Sequence, residues 1–118
     1  MMTVTKEWVL ACEDTDVPED AGACALIYGE QIAIYNFKRR GEWFATQNLC
    51  PHKQQMALSR GMIGTMGEEP KVACPFHKKT YSLKTGECLS GDNYQIKTYP
   101  VKVDNGKVYV EVEMSDER

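Results

Sequence analysis

The sequence predicts an all-β fold, a small antiparallel sandwich or barrel, on three observations. Its apolar residues alternate or run in short blocks, and turn residues interrupt them about every 8–12 positions. Asn105-Gly106 stands between two runs rich in β-branched residues. Asn-Gly is the strongest short hairpin signal, because both centre positions of a type I′ turn need positive φ. Only Gln54 to Ser59 has helical composition, and it is short.

Taken in order, Trp8 to Cys12 reads as a first strand, followed by a polar connection through Val17-Pro18-Glu19. Cys24 to Tyr28 and Gln31 to Phe37 flank Gly29-Glu30, a two-residue turn with glycine first. Glu42 to Thr46 alternates around Trp43 after a turn at Arg40-Gly41. Lys71 to Cys74 and Thr80 to Leu83 are two further strands. Ile96 to Val103 and Lys107 to Val112 form the terminal hairpin. Trp8, Tyr35, Phe37, Trp43 and Phe44 are expected to fill the core, and Met56, Met62 and Met66 to pack in it or cover loops. Gly86 and Gly91 are expected in tight turns. No repeat, linker or low-complexity segment interrupts the chain, so residues 1–118 are read as one domain.

A net charge of −3 argues against a nucleic-acid partner, which calls for clustered Lys and Arg. No stretch approaches the roughly 18 apolar residues of a membrane span, and Met1 to Lys6 lacks the apolar run of a signal peptide, so a cytoplasmic protein without a membrane partner is expected. The 5 cysteines are an odd number, which fits poorly with a secreted disulfide framework. Cys12, Cys24 and Cys88 are read as buried reduced thiols, with a Cys12–Cys24 pair or a redox-sensitive thiol as the alternative.

Both histidines of the chain lie in two short runs, Cys50-Pro51-His52 and Cys74-Pro75-Phe76-His77. A thiolate and an imidazole one or two residues apart face the same ion only where the backbone bends sharply, and a proline after each cysteine helps to fix that bend. Two thiolates and two imidazoles offered as pairs from two separate loops form the ligand set of a Rieske [2Fe–2S] centre. A structural Cys2His2 zinc site uses the same residue types. Zinc sites more often space them as C-x(2–4)-C and H-x(3–5)-H, and neither spacing occurs here. Two neutral imidazoles in place of two thiolates make the cluster less negative and easier to reduce, within about −150 to +300 mV.

The two motifs resemble those of the Rieske iron–sulfur family. The wider context is similar to the small subunits of NAD(P)H-dependent assimilatory nitrite reductases, through Asn48-Leu49-Cys50-Pro51-His52-Lys53, Leu58-Ser59-Arg60-Gly61-Met62-Ile63-Gly64, Val72-Ala73-Cys74-Pro75-Phe76-His77-Lys78-Lys79 and Thr85-Gly86-Glu87-Cys88-Leu89. The resemblance implies a Rieske-type sandwich or barrel with two cluster-binding loops. Cys50 and Cys74 would bind one iron, and His52 and His77 the other. High-potential members carry an extra cysteine in each loop, joined as a disulfide; Phe76 and Lys53-Gln54-Gln55 offer none. They also carry a hydroxyl donor two residues after the second histidine, where this chain has Lys79, while the tyrosine four residues after it is kept as Tyr81. A potential at the low end, about −150 mV, is therefore expected.

The resemblance further implies an electron-transfer subunit of an oxidoreductase. Its partner would be a large subunit carrying FAD, an iron–sulfur cluster and sirohaem that reduces nitrite to ammonium with NADH or NADPH. No G-x-G-x-x-G motif is present for a dinucleotide, so the isolated chain is expected to have no nitrite reductase activity. Two other readings stay open: a free-standing Rieske ferredoxin feeding a ring-hydroxylating oxygenase, and a subunit that only stabilises the large one. Lys53, Lys78 and Lys79 directly follow the two histidines. They are ordinary solvated loop charge, or a basic rim that docks an acidic partner surface.

Overall fold

The computed structural model describes residues 4–38, 41–50, 55–56, 58–75, 79–91 and 94–115. Twelve strands run through them: β1 (Val4–Glu13), β2 (Ala21–Ile27), β3 (Glu30–Phe37), β4 (Glu42–Gln47), β5 (Leu49–Cys50), β6 (Gln55–Met56), β7 (Met62–Met66), β8 (Glu69–Ala73), β9 (Thr80–Ser82), β10 (Thr98–Tyr99), β11 (Val101–Asp104) and β12 (Lys107–Ser115). They form four antiparallel sheets of order β1-β12-β11, β10-β4-β3-β2, β5-β6 and β7-β8-β9. The all-β expectation holds.

β3 explains the layering. It is buried on both faces from Ile32 to Phe37, and the period of two sends alternate residues to opposite sides. Ile32 and Ile34 join Val17, Ile27, Ala45, Tyr99, Val108, Val110 and Val112 in a core shared with the β1-β12-β11 sheet. Ala33, Tyr35 and Phe37 join Cys50, Leu58, Val72, Cys74, Tyr81, Leu83 and Ile96 in a second core on the far face. The four-stranded sheet is thus the middle layer, and both expected ligand cysteines lie on one side of it.

The terminal hairpin forms where Asn105-Gly106 predicts, with φ of 52° and 76° and Asp104 paired to Lys107. The β2–β3 turn is shifted by one residue from the expectation. Ile27 pairs with Glu30, and Tyr28 and Gly29 occupy the turn with φ of 50° and 82°. The right-handed strand twist favours this type I′ geometry strongly enough to place a tyrosine in the left-handed region. Ile96 to Val103 is not one strand. Pro100 cannot donate to a ladder, and the chain passes there from β10 in one sheet to β11 in another. Gln54 to Ser59 forms no α-helix in its described part; Gln55–Met56 pairs with β5, and Leu58–Arg60 is a single 3-10 turn.

Other expectations also change. Trp8 is 39 % exposed, because Val9 takes the inward position opposite Val110 and Trp8 stacks under Lys102, whose Nζ is 4.6 Å from its ring centroid. Trp43 and Phe44 are half-buried on opposite faces of β4, each against a different core. Met56 and Met62 are exposed; on edge strand β7 it is Ile63 that turns inward. Of Met66 only the backbone is described. Cys12 and Cys88 are half-buried and Cys24 is exposed, all three as free thiols. A bulge after Leu10 lets Ala11 and Cys12 both pack on the first core, along with Ala23 and Ala25 of β2. Cys24, between those alanines, therefore faces away from Cys12, which excludes the alternative disulfide.

Candidate metal centre

Cys50 ends β5, and its Cα partner across the β5–β6 pair is Gln55. Residues 51–54, which include Pro51, His52 and Lys53, lie between them in sequence. Cys74 follows β8, and its backbone N–H donates to the carbonyl of Lys79 at 2.8 Å. Residues 75–78, with His77 and Lys78, lie between Cys74 and Lys79 in sequence. Outside them, Ala73 pairs with Thr80. Each expected ligand cysteine thus lies at a position fixed by backbone pairing. His52, His77, Lys53, Lys78 and Phe76 lie outside the described residues.

The two cysteines share the second core. Cys50 is 0 % and Cys74 1 % exposed, and both belong to the cluster that contains Tyr81. The Tyr81 hydroxyl lies 3.9 Å from Cys50 Sγ, within reach of the long hydrogen bond that sulfur accepts. Burial first, then the bond to Cys50 and its charge, pushes the Tyr81 phenol well above its ordinary range. It stays protonated, and a protonated phenol can only strengthen its role as donor to a thiolate. Two deeply buried thiols with a donor hydroxyl beside one of them suit metal-bound thiolates, which tolerate burial because the metal neutralises them. Lys79, half-buried, contributes its carbonyl to the closure of the second loop.

What holds the first loop was missed in the sequence. Asn48 is 2 % exposed, and its Oδ1 accepts the Ser59 N–H at 2.7 Å. Its backbone carbonyl accepts the Leu58 N–H at 3.0 Å and its own N–H donates to Gln31 at 3.1 Å. The Tyr35 hydroxyl donates to the Leu58 carbonyl at 3.1 Å and lies 3.3 Å from Thr46 Oγ1. Burial raises the Tyr35 phenol above its ordinary range too, although the Thr46 bond works against it. Neighbouring Gln47 spans β4 and the β10 approach, accepting from Lys97 N at 2.9 Å and donating to the Leu49 carbonyl at 2.7 Å. The signal available for Asn48 was an amide two residues before a ligand cysteine, which sequence alone does not distinguish from ordinary turn chemistry.

The second loop rests on a folded base of its own. Ser82 Oγ bonds the Glu69 carboxylate and accepts Lys84 and Thr85 N–H, each at 3.2 Å. Leu83 N–H donates to Pro70 O at 2.9 Å and Ile96 N–H to Gly86 O at 2.8 Å. Gly86 has φ of +81°, and a Cβ there would lie 2.0 Å from Ile96 O. Gly91, at +93°, also sits in a turn.

Residues 7–111 match the Rieske-like [2Fe-2S] domain family. The sequence is 33 % identical over 102 residues to the nitrite reductase (NADH) small subunit of Salmonella typhimurium, covering 86 % of this chain and 94 % of that one. It is 35 % identical over 106 residues to the nitrite reductase [NAD(P)H] large subunit of Klebsiella oxytoca, where 90 % of this chain spans 11 % of the longer protein. A ferredoxin component of naphthalene 1,2-dioxygenase/salicylate 5-hydroxylase systems from Ralstonia is 35 % identical, with coverage of 93 % and 100 %. Among solved structures, the E. coli protein NirD superposes with a TM-score of 0.81 at 30 % identity, covering 92 % of this chain and 98 % of that one.

Proposed function

This chain belongs to the Rieske-like [2Fe-2S] domain family, and on that premise we propose that it is the electron-transfer small subunit of an NAD(P)H-dependent nitrite reductase. Cys50 and Cys74 would hold one iron and His52 and His77 the other. The observation that carries the reading is the burial of Cys50 and Cys74, from two separate closed loops, in one core beside Tyr81. The bound cluster supplies one-electron exchange. Tyr81 donates to the Cys50 thiolate and favours the more negative, reduced state, while Tyr35, Leu58, Val72 and Leu83 exclude water from the thiol side.

Residues 1–118 act as one domain in this reading, since the two cores share β3. The partner is a large subunit carrying FAD, an iron–sulfur cluster and sirohaem, in the cytoplasm, reducing nitrite to ammonium. Support comes from the small-subunit relatives and from the match within a nitrite reductase large subunit. Lys53, Lys78 and Lys79, which follow the two histidines in sequence, would supply the charge of a docking rim, and exposed Met56 and Met62 its apolar part. Among the described residues no helix is long and apolar enough to cross a membrane.

The identity to a dioxygenase ferredoxin component supports a second reading, a mobile carrier serving an oxygenase. Anaerobic purification decides between them. A rhombic EPR signal after dithionite reduction, with average g below that of an all-cysteine cluster, together with stable co-purification of a large flavoprotein, supports the nitrite reductase reading. The same signal on a chain that binds no such partner supports the ferredoxin. A chain that takes up zinc and no iron or sulfide rejects both.

A further inference from the structure

We propose that Asn48 is a positioning residue that fixes Cys50 and ties the two ends of segment 48–59 together before any cluster is bound. The inference rests on the reading of Cys50 and His52 as ligands. Asn48 O accepts Leu58 N–H at 3.0 Å and Asn48 Oδ1 accepts Ser59 N–H at 2.7 Å, so one residue closes the chain segment 48–59 by two bonds. Cys50 lies two residues inside that closure and His52 four. The opposite end is held as firmly. Leu58, fully buried, gives its carbonyl to Tyr35 Oη at 3.1 Å and to Gly61 N–H at 3.0 Å.

An amide of this length meets every contact at once, and the oxygen that accepts from Ser59 is the part the closure needs. The amide oxygen accepts from Ser59, while its NH2 group donates to Gln31 Oε1 at 3.0 Å and approaches Cys24 Sγ at 3.6 Å. One small group supplies an acceptor and donors at once, which Asn does and Ser or Asp does only in part. Gln31 in turn is fixed at the start of β3, so the loop is referenced to the strand that carries both cores. The Ser59 contact is buried and the Gln31 contact partly so, and a buried donor left without its acceptor is costly. None of them involves the cluster. The two ends of segment 48–59 are therefore held together by the protein itself, and the position of Cys50 is inherited from Asn48.

The test compares N48A, N48D and, in the other core, V108A. Amide hydrogen exchange is followed by NMR on apo-protein, and the reconstituted proteins are characterised by EPR, visible circular dichroism and the rate of iron loss to a chelator. In the wild-type apo-protein Leu58 and Ser59 amides should be protected; free exchange at both would overturn the proposal whether or not any variant folds. N48A should speed Ser59 exchange about tenfold, change the rhombicity of the EPR signal and release iron severalfold faster. N48D keeps the acceptor for Ser59 and lets Gln31 turn its amide to donate, so it should lie closer to wild type than N48A in each readout. V108A should lower Tm and leave the spectra unchanged. A wild-type signature in N48A, an N48D as impaired as N48A, or spectra that shift equally in V108A each reject a positioning role. Wild-type protein that takes up no cluster rejects the functional reading itself, a result separate from normal loading that ignores Asn48.

Discussion

Ile32 and Ile34 leave β3 toward one core, and Ala33, Tyr35 and Phe37 leave it toward the other, so one strand displays how two regions of this molecule differ. The first region is packed largely with Val and Ile between two regular sheets, with β1 and β12 paired over nearly their full length. The second is packed with Tyr81, Tyr35, two cysteines and a few aliphatics, and its strands β5, β6 and β9 are only two or three residues long. The former needs little beyond apolar volume and alternation. The latter must keep thiols at fixed places, so hydrogen bonds from Asn48, Gln47, Tyr35 and Ser82 replace long ladders. The scaffold side carries stability and the loop side carries geometry.

The largest expected effect breaks the loop side alone. C74S or H77A should abolish cluster incorporation, measured as iron and sulfide per chain and by EPR, while assembly with the large subunit survives. Turnover retained in H77A would instead support the purely structural subunit. G86A comes next. With positive φ and a Cβ 2.0 Å from a backbone oxygen, it should cost about 3 kcal/mol or more in urea unfolding. G106A in the terminal hairpin, also at positive φ but with the Asp14 carboxylate no nearer than 3.7 Å to the added Cβ, should cost only about 1 kcal/mol.

Y81F sharpens the contrast further. It removes the hydroxyl 3.9 Å from Cys50 Sγ and leaves the ring packing, so Tm should hold while the reduction potential falls by roughly 20–40 mV, the scale of a hydrogen bond below 1 kcal/mol. An unchanged potential would mean that the contact carries no charge stabilisation. The smallest effect lies on the scaffold side. Burial, then the charge and hydrogen bond of Glu30, pushes the Tyr99 phenol up to about 12. The folded state thus holds this proton more tightly than the unfolded chain, whose phenol has the ordinary value near about 10. The contribution is intact below that value and is lost as pH rises toward 12, so urea midpoints should fall over this interval. Y99F should flatten that part of the curve.

The Cys and His motifs stand out in the sequence because cluster chemistry calls for both residue types at close spacing, and Tyr81 stands out only through its set distance from His77. The strand run from Cys24 to Thr46 was legible through alternation, and the terminal hairpin through Asn105-Gly106. The β2–β3 turn was misplaced by one residue because Tyr28 has no intrinsic preference for positive φ; the register of seven paired positions imposed it. Hydrophobicity alone points Trp8 into the core and leaves Met62 to pack there or cover a loop, whereas their neighbours Val9 and Ile63 hold the inward faces.

By itself the sequence determined the all-β class, the two loops and the residue types that can bind a cluster, since each depends on local periodicity or on ligand chemistry. Only the tertiary structure decided that β3 is shared by two cores, that Pro100 passes the chain between sheets, and that Cys50 and Cys74 are buried together beside Tyr81. It also decided that Asn48 closes the first loop. These features join residues distant along the chain, and no local pattern encodes a partner that only folding brings within hydrogen-bonding distance.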